Sequence, residues 1–503
     1  MKKCSFLWLI IGIMPCVAIA QKKKTPAKPT PFTIEKLQSY LNTAAATDTD
    51  LTYASWSLVA TDTKTKKVLA SHNPNLSLAP ASIQKVITTA TALEMLGATK
   101  KFETQLAYTG NIKNGVLKGN LYLIGKGDPC FGSKQQDFLE KHYYPAKDSS
   151  FLEALVAKVK TLGITKIDGN IVADDSYFSP ENVPETWAWG DLGNYYGAGT
   201  SGLCIYDNSY EMRFKTPDLA GANTQIIGIN PPIAQLKITN KVVASNASGD
   251  QTLIYNAPYS YTPLVVGELP KGSAGFGVKG SLPHPAQTAA EALKAALLAQ
   301  GISSLAATNS QVFKEAGMGV LQKIYSYPSP DLAAIAQATN YKSVNLYAEM
   351  LLLHIGATDG KITTELSAET LKEFWGKKGI TTKGLQMYDG SGLSRYNSAN
   401  AKFFVDVLTY MKTSANYAAF YNSLPIGGQS GTVKTMFKGS ICEGKIRLKS
   451  GSISKVRAYS GYLTTKSGRE VAFAVMMNNY TCSDAVARQK LEKMMVKIAE
   501  ITD

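Results

Sequence analysis

Pro80-Ala81-Ser82-Ile83-Gln84-Lys85-Val86-Ile87-Thr88-Thr89-Ala90-Thr91-Ala92-Leu93-Glu94-Met95-Leu96 is the stretch on which the fold turns. Apolar and small residues fill 86–96, which predicts a buried helix. Ser82 and Lys85 stand at i and i+3, so on a helix they share one face. At a helix N-terminus, unpaired N–H groups and the positive dipole end favour developing negative charge. A serine placed there beside a lysine can be a nucleophile beside its base. The plain alternative is a capping serine with a solvated lysine. Ser-x-x-Lys recurs at 452–455, so context has to decide.

Two further motifs supply that context. Ser343-Val344-Asn345 falls between helical stretches at 331–338 and 346–354, where a loop can aim both side chains into a cleft. Other Ser-x-Asn copies occur at 71–73, 398–400 and 414–416, and alone each reads as helix-capping chemistry. Lys449-Ser450-Gly451 continues the alternation of Ile446 and Leu448, so it reads as strand, with Lys449 and Gly451 facing opposite to Ser450. A twist or bulge at Gly451 could bring a substrate close to the backbone. The second copy, Lys466-Ser467-Gly468, lies in a polar hairpin tip where glycine serves the turn. In chain order the three motifs offer a serine, a lysine able to take its proton, a polar loop and a cationic strand. That is equipment for acyl transfer without histidine.

The chain has 503 residues, 45% hydrophobic and 18% charged, too long for one compact core. Lys2 and Lys3 precede an apolar run over 6–17, and Ala18-Ile19-Ala20 stands before Gln21, so 1–20 reads as a signal peptide. A membrane anchor fits less well, because the run is short and Pro15 interrupts it. Lipid modification at Cys16 is another alternative, with Pro15 an awkward predecessor. Residues 21–31 read as a basic, Pro-rich linker. No later apolar run reaches membrane-spanning length, which points to an exported, periplasmic or cell-envelope protein. The formal charge is +15, and losing Lys2 and Lys3 would leave +13. Such a balance favours peripheral contact with an anionic cell-wall or membrane surface; export argues against nucleic acid.

Cys130, Cys204, Cys442 and Cys482 follow the leader, and an oxidising compartment allows disulfides with three pairings open. There is no C-x-x-C, and the four histidines (72, 142, 284, 354) are scattered, so no metal is expected. No cofactor is expected either. Gly275-Phe276-Gly277-Val278-Lys279-Gly280 matches a dinucleotide pattern by letters, but Pro283 and Pro285 follow it in place of a convincing helix.

Patterning predicts a helix over 33–41, strands at 56–61 and 68–71 around a turn at 62–66, and strands at 445–450, 458–464 and 470–478. A final helix over 484–501 carries Leu491, Met494, Met495 and Ile498 on one face. The stretch 119–320 is rich in Gly, Asn, Thr and Pro and reads as a β-rich insertion, interrupted by a helix at 286–300. The expected fold is α+β, an antiparallel sheet with flanking helices built from both chain ends. The expected units are 32–118 plus 326–503 (catalytic), 119–211 plus 300–325 (insertion) and 212–299 (a second, nested insertion).

The motif trio in this order resembles the serine penicillin-recognising enzymes, whose patterns are Ser-x-x-Lys, Ser-x-Asn and Lys-Thr/Ser-Gly. Three segments narrow the likeness: Gly127-Asp128-Pro129, Trp187-Ala188-Trp189-Gly190-Asp191-Leu192 and Asp389-Gly390-Ser391-Gly392-Leu393-Ser394-Arg395. With roughly 260 residues between the first two motifs, the chain resembles the class C low-molecular-mass penicillin-binding proteins, the D-alanyl-D-alanine carboxypeptidase/endopeptidase family, over nearly all its length.

The resemblance implies a penicillin-binding/β-lactamase-like transpeptidase domain acting on peptidoglycan stem peptides, with β-lactams as inhibitors. It implies Ser82 as nucleophile, Lys85 as base, Ser343 as proton relay and Asn345 as orienter of the substrate amide. Lys449 and Ser450 would hold the terminal carboxylate beside Gly451, and the N–H groups of Ser82 and Ser452 the oxyanion. It further implies that Asp191, on a loop with Trp189, contacts the free amine of the stem peptide's diamino acid, and that Arg395 pairs with its carboxylate. Turn and surface salt-bridge roles stand beside the last two. A β-lactamase and a non-catalytic wall-binding or β-lactam-sensing protein remain the alternatives. A Ser-His-Asp hydrolase is disfavoured, because no Gly-x-Ser-x-Gly elbow is found.

Overall fold

The structure is a computed structural model and describes residues 31–133, 135, 151–310, 320–360 and 362–503. The leader expected at 1–20 and nearly all of the linker lie outside the described residues.

The chain ends meet in one sheet. Its five strands run in the order Ile446–Ile453, Val456–Thr464, Glu470–Asn478, Ser55–Asp62, Val68–His72, all antiparallel to their neighbours. The middle strand Glu470–Asn478 is buried on both faces, so it reads as a near-continuous apolar run. Val471, Phe473, Val475 and Met477 pack with Leu37, Leu41 and Leu491 of the terminal helices Ile34–Thr47 and Asp484–Ala499. The alternate residues Ala472, Ala474 and Met476 face a second helical layer. Small residues on that face let the helices approach.

The second layer centres on Gln84–Leu96 and Asn345–Ala357. Both helices are buried on nearly every side, as a helix that is apolar all round has to be. Thr364–Lys377 covers them, with Trp375 Nε1 donating to Thr91 Oγ1 at 2.8 Å.

The insertion carries a second five-stranded sheet, ordered Ala307–Asn309, Ile171–Asp174, Leu121–Gly125, Lys101–Tyr108, Gln322–Asp331. Among the described residues it also holds three smaller three-stranded sheets, two of them in the nested part. Ser209–Lys215 lies between Gln225–Asn230 and Phe276–Ser281, and Leu264–Pro270 lies between Thr239–Ser245 and Gln251–Tyr255. The boundaries drawn from composition need correction. The cut at 118/119 separates Lys101–Tyr108 from its partner Leu121–Gly125, and the cut at 325/326 divides Gln322–Asp331. The cut at 211/212 falls inside Ser209–Lys215. Helix Pro285–Ala299 packs on Ile171–Asp174 and Ala307–Asn309, not on the nested sheets. Pairing between distant strands leaves no trace in local composition, which is why the cuts missed.

The Lys449-Ser450-Gly451 segment lies within the edge strand Ile446–Ile453. Its register with Val456–Thr464 runs unbroken through Gly451, so there is no bulge at that position. What Gly451 provides is proximity. A Cβ there would stand 2.6 Å from Pro80 O and 3.0 Å from Ser82 N, so only glycine lets this strand lie against the turn bearing Ser82.

All four described cysteines are unpaired, with Cys130, Cys204 and Cys442 buried and Cys482 half-buried. A chain beginning at Gln21 should therefore titrate four thiols after denaturation without reductant, with Cys482 the first to react while folded. Two thiols or none would mean that a disulfide forms.

Candidate active site

Ser82 sits in the 3-10 turn Ala81–Ile83, which runs directly into the helix Gln84–Leu96. Ala81 has φ +46°, a strained value for a residue with a side chain. The turn is fixed from both sides, by Gly451 and by Gly392, whose missing Cβ leaves room for Ala81 O.

One helical turn on, Lys85 has no exposed surface. Its Nζ has three partners: Ser82 Oγ at 3.1 Å, Asn345 Oδ1 at 2.6 Å and Ser391 O at 2.7 Å. Asn345 opens its helix, and its Nδ2 donates to Tyr196 O at 2.7 Å, which turns Oδ1 toward the lysine. Burial lowers Lys85 to about 7, against the opposing pull of Glu349 and Asp389. A neutral lysine has two N–H donors and one lone pair. Asn345 Oδ1 and Ser391 O can only accept, so the lone pair falls to Ser82, whose O–H can donate.

Ser343 links Leu332–Lys342 to Asn345–Ala357 in a left-handed conformation, φ +57°. This matches the loop between helices that the sequence implied. Lys449 Nζ, also without exposed surface, donates to Ser343 Oγ at 2.9 Å and to Ser450 O at 2.7 Å. Burial, and after it the charge of Lys85, hold Lys449 well below the usual lysine range. With its oxygen occupied as acceptor, Ser343 keeps its own proton available to a neighbour.

The loop after Asp389 carries a role that sequence reasoning missed. The Asp389 carboxylate accepts from Gly392 N, Ser394 N, Asn397 Nδ2 and Trp187 Nε1. Glu349 accepts from Gly390 N and Ser391 N, both at 2.8 Å. Thr88 Oγ1 donates to Gly390 O at 2.7 Å. Together these contacts bring the Ser391 carbonyl to Lys85. Burial and then the Asp389 charge push Glu349 up to about 8, against its two N–H donors and Lys85. A lone acid inside Asn345-Leu346-Tyr347-Ala348-Glu349-Met350-Leu351-Leu352-Leu353 was the signal that could have revealed it.

A cleft of about 630 Å³ opens over these groups, lined by Ser82, Ser343, Asn345, Asp191, Arg395 and Ser452. Burial raises Asp191, while the Arg395 charge and a hydrogen bond with Tyr196 oppose the rise. Trp189 lies elsewhere. It is 56% exposed, stacks on Tyr255, and is not among the residues lining the cleft. The Ser450 hydroxyl lies 2.7 Å from Oγ1 of Thr432, which lines the cleft. Of the alternate copies, Ser452 lines the cleft, but Lys455 and Gly468 sit in hairpin turns at φ +59° and +82°. Among the described residues no cluster of ligating side chains could hold a metal.

Comparison with known proteins places the chain in a family. The model of the D-Ala-D-Ala carboxypeptidase 3 (S13) family matches residues 37–501. The chain is 29% identical over 463 residues to a D-alanyl-D-alanine carboxypeptidase of Actinomadura sp. (strain R39), covering 88% of this chain and 81% of that one. It is 27% identical over 451 residues to the D-alanyl-D-alanine carboxypeptidase DacB of Haemophilus influenzae, covering 86% and 87%. The crystal structure of penicillin binding protein 4 (dacB) from Haemophilus influenzae superposes with a TM-score of 0.73 at 25% identity, over 89% of this chain and 96% of that one. With 37–501 matched and the motif trio gathered around one cleft, this chain belongs to the D-Ala-D-Ala carboxypeptidase 3 (S13) family.

Proposed function

We propose that the chain is a serine D-Ala-D-Ala carboxypeptidase/endopeptidase that cuts peptidoglycan stem peptides through an acyl-enzyme and is inhibited by β-lactams. The observation that carries this reading is the buried Lys85 amine, aimed at Ser82 by two pure acceptors. Ser82 Oγ attacks the carbonyl of the penultimate D-alanine, and its proton passes to Lys85 Nζ. The oxyanion is held by the N–H groups of Ser82 and Ser452. When the C–N bond breaks, the departing amine takes a proton through Ser343, and water later releases the acyl group. Asn345 orients the substrate amide. Lys449 and Ser450 hold the terminal carboxylate, while Asp191 and Arg395 contact the diamino acid of the acyl half.

The leader at 1–20, the family and the described helices, none long and apolar enough to cross a membrane, favour export to the cell envelope. For the domain organisation we propose a catalytic unit of 31–100 plus 332–503, with the insertion hung between them.

The expected pH dependence follows from Lys85. It serves as base only when neutral, and its neutral fraction rises as pH climbs through about 7. Acylation by a fluorescent penicillin should therefore accelerate from about pH 6 to 8 and then level off. Ser82→Ala should remove the label, and so should Lys85→Arg, because arginine does not lose its proton. A flat profile would overturn the role of Lys85. Rapid release of hydrolysed drug would favour a β-lactamase, and no labelling with no D-alanine release a binding protein.

Glu349→Gln gives an independent check. An amide offers one acceptor where two backbone N–H groups need two, so one buried donor is stranded at a cost of about 1–3 kcal/mol. Urea unfolding should show that loss, and penicillin acylation should slow by about tenfold or more as the Ser391 carbonyl drifts from Lys85. Unchanged acylation would mean the loop does not orient the base.

A further inference from the structure

The cleft has a wall that the three motifs do not supply. Lys279 lines it together with Ser82, Asp191 and Arg395. This lysine belongs to Phe276–Ser281, a strand of the sheet built around Ser209–Lys215. That sheet is stitched to the loop bearing Asp191. Ser281 N donates to Gly193 O at 2.9 Å and Ser281 Oγ to Leu192 O at 2.7 Å. Asn194 bridges Gly280. The same loop reaches the centre of the site, where Asn345 Nδ2 donates to Tyr196 O. Side chains two apart on a strand share a face, so Lys279 points the same way as Ser281, toward the loop and the cleft. Burial alternates accordingly: Val278 and Gly280 are buried, Gly277 and Lys279 exposed.

The charge of Lys279 is not used inside the protein. Its cross-strand neighbour is an acid, Glu211, a natural partner at that register. Glu211 instead turns toward Arg213, with Oε1 3.5 Å from Nε. Glycine at 277 makes room for that turn, since a Cβ there would stand 3.0 Å from Glu211 Oε1. Among the described residues the Lys279 side chain has no hydrogen bond or ion pair. An exposed lysine is ordinary on a surface, but this one stands in the wall of a substrate cleft. Of the other cations there, Arg395 is given above to the diamino acid, and Lys342 directly precedes Ser343 in the chain, beside the bond to be cut.

We infer that Lys279 reads the free α-carboxylate of the γ-linked D-glutamate that precedes the diamino acid in a stem peptide, and so selects stems carrying that acid over stems in which it is amidated. The inference rests on the proposed function and narrows its substrate. The acyl half of such a peptide brings one free amine and two carboxylates to the cleft. Asp191 answers the amine and Arg395 one carboxylate, which leaves the other for Lys279. Spacing agrees. Lys279 lies two strand residues, about 7 Å, from Ser281 and the loop that follows Asp191. A residue of extended peptide spans about 3.5 Å, and the γ linkage adds two atoms to its path, which carries the α-carboxylate a comparable distance.

The test measures D-alanine release, by a chain beginning at Gln21, from two pentapeptides that differ only in this group: D-glutamate in one, its α-amide D-isoglutamine in the other. The quantity read is the ratio of the two kcat/KM values, which cancels any loss of folded enzyme. In the unaltered chain the acid should be preferred by about three- to tenfold, the scale of one partly shielded charge pair. The preference should fall toward one by about 0.5 M salt, where screening is strong. Lys279→Gln should bring the ratio to about one, Lys279→Glu should invert it, and Lys279→Arg should retain it. Labelling by a fluorescent penicillin confirms that each variant is folded. A ratio near one in the unaltered chain, a preference indifferent to salt, or a preference that survives Lys279→Gln overturns the inference while leaving the carboxypeptidase reading intact. Failure of the unaltered chain to release D-alanine from either peptide overturns the proposed function itself.

Discussion

Everything at the site depends on keeping one amine dry. Lys85 is neutral half of the time near pH 7 because the interior offers its charge no water. Relative to a solvated lysine this costs the fold about 4–5 kcal/mol at neutral pH. Such a sum is a large part of a domain's stability. It persists because Lys85 stands on a helix buried on nearly all sides, whose packing cannot relax without opening the main core. Catalytic competence and core integrity are therefore one constraint.

The groups that complete the site arrive from far along the chain, as Asn345, Ser391 and Lys449 meet residues 82–85. Each is delivered by a different device. Asn345 is fixed by its place at the start of a helix and by the Tyr196 carbonyl. Ser391 is fixed by two buried carboxylates that gather backbone N–H groups into a tight loop. Lys449 is fixed by an edge strand that glycine allows to touch the turn bearing Ser82. The acids beyond the amine's direct partners hold the loop's geometry, and burial of Lys85 outweighs their pull on its proton.

This division explains what could be read in the sequence. Side chains that do chemistry leave short motifs, so Ser82, Lys85, Ser343, Asn345 and Lys449 could be named in advance and are found together. Strands with strict alternation and the amphipathic terminal helix were also legible, because one buried face imposes a period. The Ser391 contribution is a backbone carbonyl, which no residue type announces. The reach of Lys101–Tyr108 to Gln322–Asp331 is a pairing of segments more than two hundred residues apart, and local composition carries no record of it. Trp189 was placed by its neighbour Asp191, yet their side chains diverge, the acid into the cleft and the indole onto Tyr255.

The two lysines also divide the work of charge. Both are buried, and the charge of Lys85 adds to burial in holding Lys449 below the usual lysine range. A carboxylate arriving beside Ser450 relieves that repulsion on the Lys449 side and favours its ammonium. On the proposed roles, an ammonium at Lys449 would in turn disfavour a proton on Lys85. On those roles, binding of the anionic terminus and activation of Ser82 would be coupled through a single buried pair. A peptide lacking the carboxylate would meet a site whose base is less ready, and discrimination appears in the acylation step as well as in binding.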